Sequence, residues 1–339
     1  MRTNRYLYRS TYLHSANFEY NAEPKRILFG RIIVVLFYGL FLFFSDFLGM
    51  FSVAAFILLL FILLLPWLLR QAISFRLKNT SYRNIPFCFT AKTRNFYAFF
   101  AIVIITFILL PIALVILAKV LPDLAAFLSF FLYIILFVLI IPFFYRHYKR
   151  LVINGAWYGV TPFQFMATKR DTIFLFIKIG LWTLLLTSLL GIVTAIIIEV
   201  GANFPELQNL KQITQSSYGT ILATLFGTIL YLFTIGLYKG VIDASLSNFI
   251  RNHSTIKDGH FKGTLHPLKL AWISASNALL LLFSLGLLYP WTKIRYLKYK
   301  IENSFFACTH YDAFLSNGYE KSNPLGEEIL DFFDIDIGF

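Results

Sequence analysis

Residues able to do chemistry are few and scattered in this chain. Six histidines (His14, His147, His253, His260, His266, His310) and two cysteines, Cys88 and Cys308, stand among 339 residues. Only His253, Asp258, His260 and His266 gather in one short stretch, and their spacing is looser than the fixed geometry of a metal site requires. The cysteines are far apart, without a metal-like interval. The chain has no His-Glu-x-x-His pair, no phosphate-cradling P-loop and no Gly-x-Ser-x-Gly elbow. Serines and threonines in its apolar runs have no base nearby to make them nucleophiles. The sequence therefore reads as a non-enzyme with no catalytic residue, no metal and no cofactor. Three charges lie in or at the ends of apolar runs: Arg31, Lys178 and Glu199. Arg31 and Lys178 sit within about two helical turns of a basic flank, where long side chains snorkel to the headgroups. Facing a bundle interior instead, either would contact an anion or a lipid phosphate. No carboxylate lies deep in an apolar run, which counts against an ion-coupled pump built on buried acids.

The elements that must position these residues are oily. The chain is 58% hydrophobic and 14% charged, with a mean hydropathy of +0.70. A soluble domain carries about 25% charged residues, so the natural solvent here is a bilayer. Apolar runs at 27–46, 48–69, 95–118, 124–145, 172–198 and 217–238 are long enough to cross, since roughly 20 helical residues span the hydrocarbon core. No cleavable signal is expected before the first. A seventh run, 268–290, has two readings. It crosses once, or it enters and leaves on one side, broken near Ser274, Ser276 and Asn277 with Gly286 following. The expected fold class is an all-α polytopic membrane protein: six spanning helices plus a seventh crossing or re-entrant segment. Residues 1–26 form a cytoplasmic N-terminal segment, 27–300 the membrane domain and 301–339 a C-terminal acidic tail. That tail folds back on the basic face, engages a partner or stays disordered.

Charge sets the orientation. Lys and Arg number five in 1–26, six in 70–94, five in 146–171, five in 239–269 and four in 292–300, which is 25 of the 30. The opposite connections hold Lys119 and Lys211 and no arginine. By the positive-inside rule the N-terminus faces the cytoplasm, as do the basic loops, and the re-entrant reading puts the C-terminus there too. The net charge of +13 is then one cytoplasmic face whose partner is anionic lipid headgroups, not nucleic acid. Trp67 and Trp291 are interfacial anchors, at home in the headgroup layer.

A unit recurs along the chain. Phe18 and Tyr20, Phe87 and Phe89, and Phe163 and Phe165 are aromatic steps of spacing two, each followed by basic residues and an apolar run. Asn79, Asn154, Asn252 and Asn303 stand twelve to fourteen residues after a Pro or Tyr that closes the preceding run. Turn residues 83–86 and 159–162 precede two of the steps. Period-two aromatics around a turn read as a short β-hairpin, its aromatic side resting on the membrane surface or on the next copy; irregular interfacial loops are the alternative. In the fourth copy the step survives only as His260-Phe261. Gly219, Ala223 and Gly227 form a small-residue stripe of the kind that lets helix backbones approach. A polar lining with Thr220, Thr224 and Thr228 is the other reading of that stretch.

The stretch 261–304, through Phe261, Gly263, Leu285, Gly286, Tyr289, Trp291, Arg295, Tyr296, Asn303 and Ser304, resembles the signature of the YjgN-like family of bacterial inner-membrane proteins. Residues 5–31, RYLYRSTYLHSANFEYNAEPKRILFGR, resemble the stretch just after that family's first membrane segment, which the resemblance leads one to expect is missing before residue 5. The resemblance implies a multi-pass protein of the bacterial inner membrane, of uncharacterised activity, with a membrane-associated protease as a partner. Self-association into a homo-oligomer is a further expectation. The whole reading leads to two functions: moving or gating a small or amphiphilic solute through the bundle, or serving as a scaffold whose basic-aromatic face binds anionic lipid and a partner protein.

Overall fold

Aromatic pairs and turn residues decide where the long helices stop. The computed structural model describes residues 2–14, 16–22, 24–120, 128–129, 131, 139–203 and 217–308. Its helices are α1 (Arg2–Arg9), α2 (Pro24–Leu42, followed by a π-helical turn, Phe43–Phe47), α3 (Phe51–Lys78), α4 (Thr93–Val120), α5 (Ile141–Gly155), α6 (Lys169–Asn203), α7 (Ser217–Asn252), α8 (Pro267–Phe283) and α9 (Tyr289–Glu302). Between them run β1 (Tyr12–Leu13), β2 (Ala16–Tyr20), β3 (Thr80–Tyr82), β4 (Ile85–Phe89), β5 (Ala156–Tyr158), β6 (Thr161–Phe165), β7 (Ser254–Ile256), β8 (Gly259–Gly263) and β9 (Ser304–Ala307).

The all-α expectation is overturned. The strands join in chain order into one nine-stranded sheet. Among the described residues three stretches are long and apolar enough to cross a membrane, Phe51–Lys78, Lys169–Ile196 and Thr224–Asn252, rather than six or seven. Over their described side chains Ile32–Phe47, Thr93–Ile108 and Pro267–Phe283 are apolar and shorter, although the helix that begins at Thr93 runs on to Val120. Most of the expected span at 124–145 lies outside the described residues, as does most of the tail. The physical reason is one of scale. A hydropathy window of about 19 residues averages away strands only two to five residues long. Conversely, the run 268–290 is not one element, because the chain turns at 284–288 and starts a second helix.

Two compact units divide the described chain: Met1–Lys169 with His253–His260, and Arg170–Asn252 with Phe261–Phe306. In the first, one register recurs three times, always antiparallel. Phe18 faces Tyr82 and Tyr20 faces Thr80; Phe87 faces Tyr158 and Phe89 faces Ala156; Phe163 faces Ile256 and Phe165 faces Ser254. Because side chains alternate along a strand, both rings of each step share one face; in the third step it is plainly the buried one, and in the first two only the second ring is fully buried. Tyr20, Phe89, Phe163 and Phe165 are buried while Gln164 between the last two is exposed. Two-residue turns close the hairpins. Arg83 and Asn84 take φ of +49° and +62°, the left-handed pair that matches strand twist.

Each aromatic strand is also fastened to the end of the helix in the next copy. Asn21 N–H donates to Asn79 O at 2.8 Å, Thr90 N–H to Gly155 O at 2.8 Å and Met166 N–H to His253 O at 2.9 Å. In the second unit Thr264 N–H donates to Asn303 O at 3.0 Å. The recurrent asparagines hold these junctions in two ways. Asn79 and Asn303 each donate from Nδ2 to the carbonyl four residues back, at 2.8 Å, closing the last helical turn. Asn154 and Asn252 accept at Oδ1 from the N–H of Phe165 and of Gly263, 2.8 Å each. All of these groups would otherwise be orphans of a helix end or a strand edge.

The core of the second unit is a helix contact. Ala244, Leu265, Leu270, Ile273 and Tyr299 form one buried cluster, and Leu186, Val241 and Ala271 another. A Cβ on Gly236 would lie 2.5 Å from Ala275 Cα, and one on Gly240 would collide with the backbone of Ala271. Only glycine permits this approach of α7 to α8.

Candidate lipid-contact surface

The long helices change character partway along. In α3, Phe51, Phe56, Leu58, Leu59 and Leu63 are exposed, whereas Pro66, Leu68, Leu69, Ala72, Ile73, Phe75 and Leu77 are buried. In α7, Ile221, Leu225, Phe226, Tyr231 and Ile235 are exposed, whereas Val241, Ala244, Phe249 and Ile250 are buried. One half of each helix is thus oily and bare, and the other half is packed and leads into a strand.

Cations collect at the packed ends. Lys92 and Arg94 at the start of α4, Lys169 and Arg170 at the start of α6, and Lys269 in the first turn of α8 are exposed. Cations at a helix N-terminus oppose the positive end of the macrodipole. An anion against them relieves that repulsion. Other cations are spent internally: Arg70 Nε donates to Ala91 O at 3.2 Å and Arg146 Nε to Ala167 O at 2.8 Å, each spanning twenty-one residues.

The first unit also holds a row of rings. Phe18 packs at a tilt against Tyr82 with centroids 4.9 Å apart, Tyr82 against Tyr158 at 6.1 Å and Tyr158 against Phe87 at 4.9 Å, and Phe87 stacks on Phe163 at 6.2 Å. Tyr158 O–H donates to Tyr82 O at 3.0 Å, and Tyr82 O–H to Leu13 O at 2.6 Å. Burial, and then the neighbouring Tyr82, push the Tyr158 hydroxyl up to about 12 against a smaller opposing pull from Arg83. It stays a neutral donor. Burial likewise raises the Cys88 thiol, with Lys78 partly offsetting it, so Cys88 is a poor nucleophile.

The structure distributes the residues singled out from sequence unevenly. Of the six repeat aromatics Tyr20, Phe89, Phe163 and Phe165 are buried and Phe18 and Phe87 half-buried. Phe18 and Phe87 meet rings further along the sheet, whereas Tyr20 and Phe89 meet Tyr8 and Phe96 close by in sequence. Lys178 is exposed, whereas the side chain of Arg31 lies outside what is described. The side chains at 219 and 223 are also outside it, and a Cβ on Gly227 would meet nothing within 4 Å. The Thr228 hydroxyl donates back to Thr224 O at 2.8 Å, within its own helix. Trp67 lines an apolar crevice with Ile33, Val34, Phe37, Phe61, Leu64 and Leu68. Trp291 is exposed, with the Arg295 guanidinium 5.4 Å from its ring. His260 and His266 are exposed, and among the described residues no three His, Cys, Asp or Glu side chains gather where a metal could sit.

Sequence reasoning missed the glycines that do the packing. Gly236, Gly240 and Ala244 keep the same four-residue interval as the stripe at 219–227, displaced toward the basic end, against Ala271 and Ala275 of α8. It also missed the polar knot that ties α9 to α8. Arg295 Nη1 donates to Ser276 Oγ at 2.9 Å and Asn277 Oδ1 at 3.2 Å, while Asn277 Nδ2 donates to Thr292 O at 3.0 Å. Beside it, Tyr296 O–H donates to Asp243 Oδ2 at 2.5 Å.

This architecture defines a class: a protein with membrane-length apolar helices whose packed ends are joined by a β-sheet. The chain belongs to the family described as bacterial protein of unknown function (DUF898), whose model matches residues 1–332. Comparison with curated proteins and with solved structures finds no match.

Proposed function

We propose that the chain is an integral protein of the bacterial inner membrane, a scaffold whose sheet-bearing, cationic helix ends lie at the cytoplasmic headgroup layer and bind anionic lipid. The observation that carries this reading is the division of α3 and α7 into a bare apolar half and a packed, strand-bearing half. Bare apolar half-helices are costly in water and neutral in lipid. The exposed cations at the helix starts supply a partner for phosphate, and the strand register that recurs three times supports reading the unit as a repeat. Transport through a bundle would gain support from a polar cavity at mid-membrane depth, but the crevice beside Trp67 is lined by apolar side chains.

The test is co-purification. Full-length protein extracted from membranes should resist alkaline carbonate and carry a higher share of phosphatidylglycerol than the bulk membrane. Replacing Lys92, Arg94, Lys169 and Arg170 with Gln should lower that share without releasing the protein from the membrane. Recovery of the unmodified chain in the carbonate supernatant defeats the reading. So does an unchanged lipid profile in the Gln variant.

A further inference from the structure

We propose that the turn at 284–288, between α8 and α9, is a membrane-penetrating apex: the helical hairpin enters one leaflet, reverses within the acyl layer and leaves on the side it entered. The inference rests on the reading that α7 lies in a bilayer, and deepens it by assigning a second, non-spanning element to the lipid.

The side chains come first. Phe283, Leu285 and Leu287 are 70%, 92% and 83% exposed, the barest apolar tip in the second unit. Leu285 is held there at φ +49°, a left-handed conformation that turns in water assign to Gly, Asn or Asp. An apolar surrounding gives leucine a reason to occupy it.

The backbone is the stronger argument. A turn in water can leave its N–H groups to solvent, but a turn in hydrocarbon must bond them all within itself or to protein. Here every N–H from Ser284 to Tyr289 has an acceptor in the turn or in the last helical turn of α8. Ser284 donates to Leu280 O at 3.0 Å, Leu285 to Leu282 O at 3.1 Å, Gly286 to Leu281 O at 2.8 Å, Leu287 to Ser284 O at 3.0 Å and Tyr289 to Gly286 O at 3.1 Å. Leu288 N–H donates to the Ser284 hydroxyl at 3.2 Å, and the next residue is Pro290, which has no N–H. The turn is a closed set of donors wearing leucines.

Depth is set by the packing. Gly236 and Gly240 meet Ala275 and Ala271, so α8 runs antiparallel to α7. Helix α9 returns beside α8, Thr292 meeting Asn277 and Tyr299 meeting His266. From Ser276, which holds Arg295, to Leu285 is nine residues, roughly 14 Å at 1.5 Å per residue and so about half of a 30 Å core. Going back along α9, exposed Tyr289 and Trp291 give way to Lys293 and Arg295, whose charges sit 5.8 and 5.4 Å from those rings. Apolar, aromatic and cationic residues thus come in the order of acyl chain, interface and phosphate.

Spin labels on full-length protein in vesicles of phosphatidylethanolamine and phosphatidylglycerol test this. With Cys88 and Cys308 replaced by Ser, single variants Leu285→Cys, Leu287→Cys and Lys262→Cys are labelled and their collision rates with oxygen and with a water-soluble nickel chelate compared. The oxygen-to-nickel ratio at 285 and 287 should exceed that at 262 several-fold. Lys262→Cys and Lys298→Cys should react with an impermeant maleimide from the same side. A ratio at 285 and 287 equal to that at 262, in protein still held by the vesicles, overturns the apex and leaves the membrane assignment standing. Reaction of Lys298→Cys only from the opposite side overturns it in favour of a crossing. Protein that does not stay with the vesicles overturns the membrane assignment itself.

Discussion

The turn between β3 and β4 and the turn between α8 and α9 both hold non-glycine residues at positive φ, Arg83 and Asn84 at +49° and +62°, Leu285 at +49°. At the first, the side chains are a cation and an amide, and Tyr82 beside it is pinned by its hydroxyl to Leu13 O. At the second, they are leucines, and the pinning is done by backbone N–H groups and one serine hydroxyl. The same local geometry is met with opposite chemistry. The difference teaches that left-handed backbone at a reversal does not fix its side chains, and the proposed apex assigns that freedom to solvent.

The comparison can be broken most forcefully at the contact that erects the helical hairpin. Gly240→Val should cost about 3 kcal/mol or more, because the added carbons meet backbone that no rotamer change can move. Thermal unfolding in detergent should show it, with Gly227→Val, whose site is open, near wild type. An equal loss at both positions would mean helix propensity, not the close approach, is being read.

Next in size, Leu285→Asp and Leu287→Asp should each weaken retention in vesicles by about 2–3 kcal/mol, the cost of a carboxylate at depth. Val160→Asp, at an exposed strand turn, should change nothing. Similar behaviour of the two turns would erase the distinction between them.

Asn154→Ala should cost about 1–2 kcal/mol, since it leaves the Phe165 N–H without its acceptor. Hydrogen exchange at Phe165 should accelerate in that variant, and exchange in the α8–α9 turn should not. The smallest effect at neutral pH belongs to Tyr158. Its hydroxyl titrates near 12 in the folded chain and near 10 when unfolded. Its contribution is therefore complete below pH 10 and is lost as pH rises from about 10 toward 12. Denaturant titrations across that window should show a shallower decline for Tyr158→Phe.

Part of this was legible in the residues. Phe87 with Phe89 and Phe163 with Phe165, each behind a turn, marked strands because alternation is a property of adjacent residues. The recurring asparagines were visible only as a spacing; that they end helices came from the structure, where Asn79 and Asn303 bond within one helical turn of themselves. The sheet was not legible as a sheet. Tyr20 and Thr80, or Phe165 and Ser254, are separated by sixty to ninety residues, and nothing near either names its partner. The stripe at Gly219, Ala223 and Gly227 illustrates the same limit. Its spacing is right for close packing, yet the spacing recurs at Gly236 and Gly240, and only a facing helix with Ala271 and Ala275 decides which copy is used.

By itself the sequence determined composition and punctuation: apolar runs, cations gathered in a few connecting stretches, and turns where Arg-Asn or Gly takes positive φ. These are short-range matters of transfer energy and backbone sterics. Tertiary structure alone decided that the hairpins fuse into one nine-stranded sheet, that α3 and α7 are bare over one half and packed over the other, and that the run 268–290 breaks at 284–288 into two helices. Each of those outcomes depends on a partner distant in the chain, which local hydropathy and spacing do not encode.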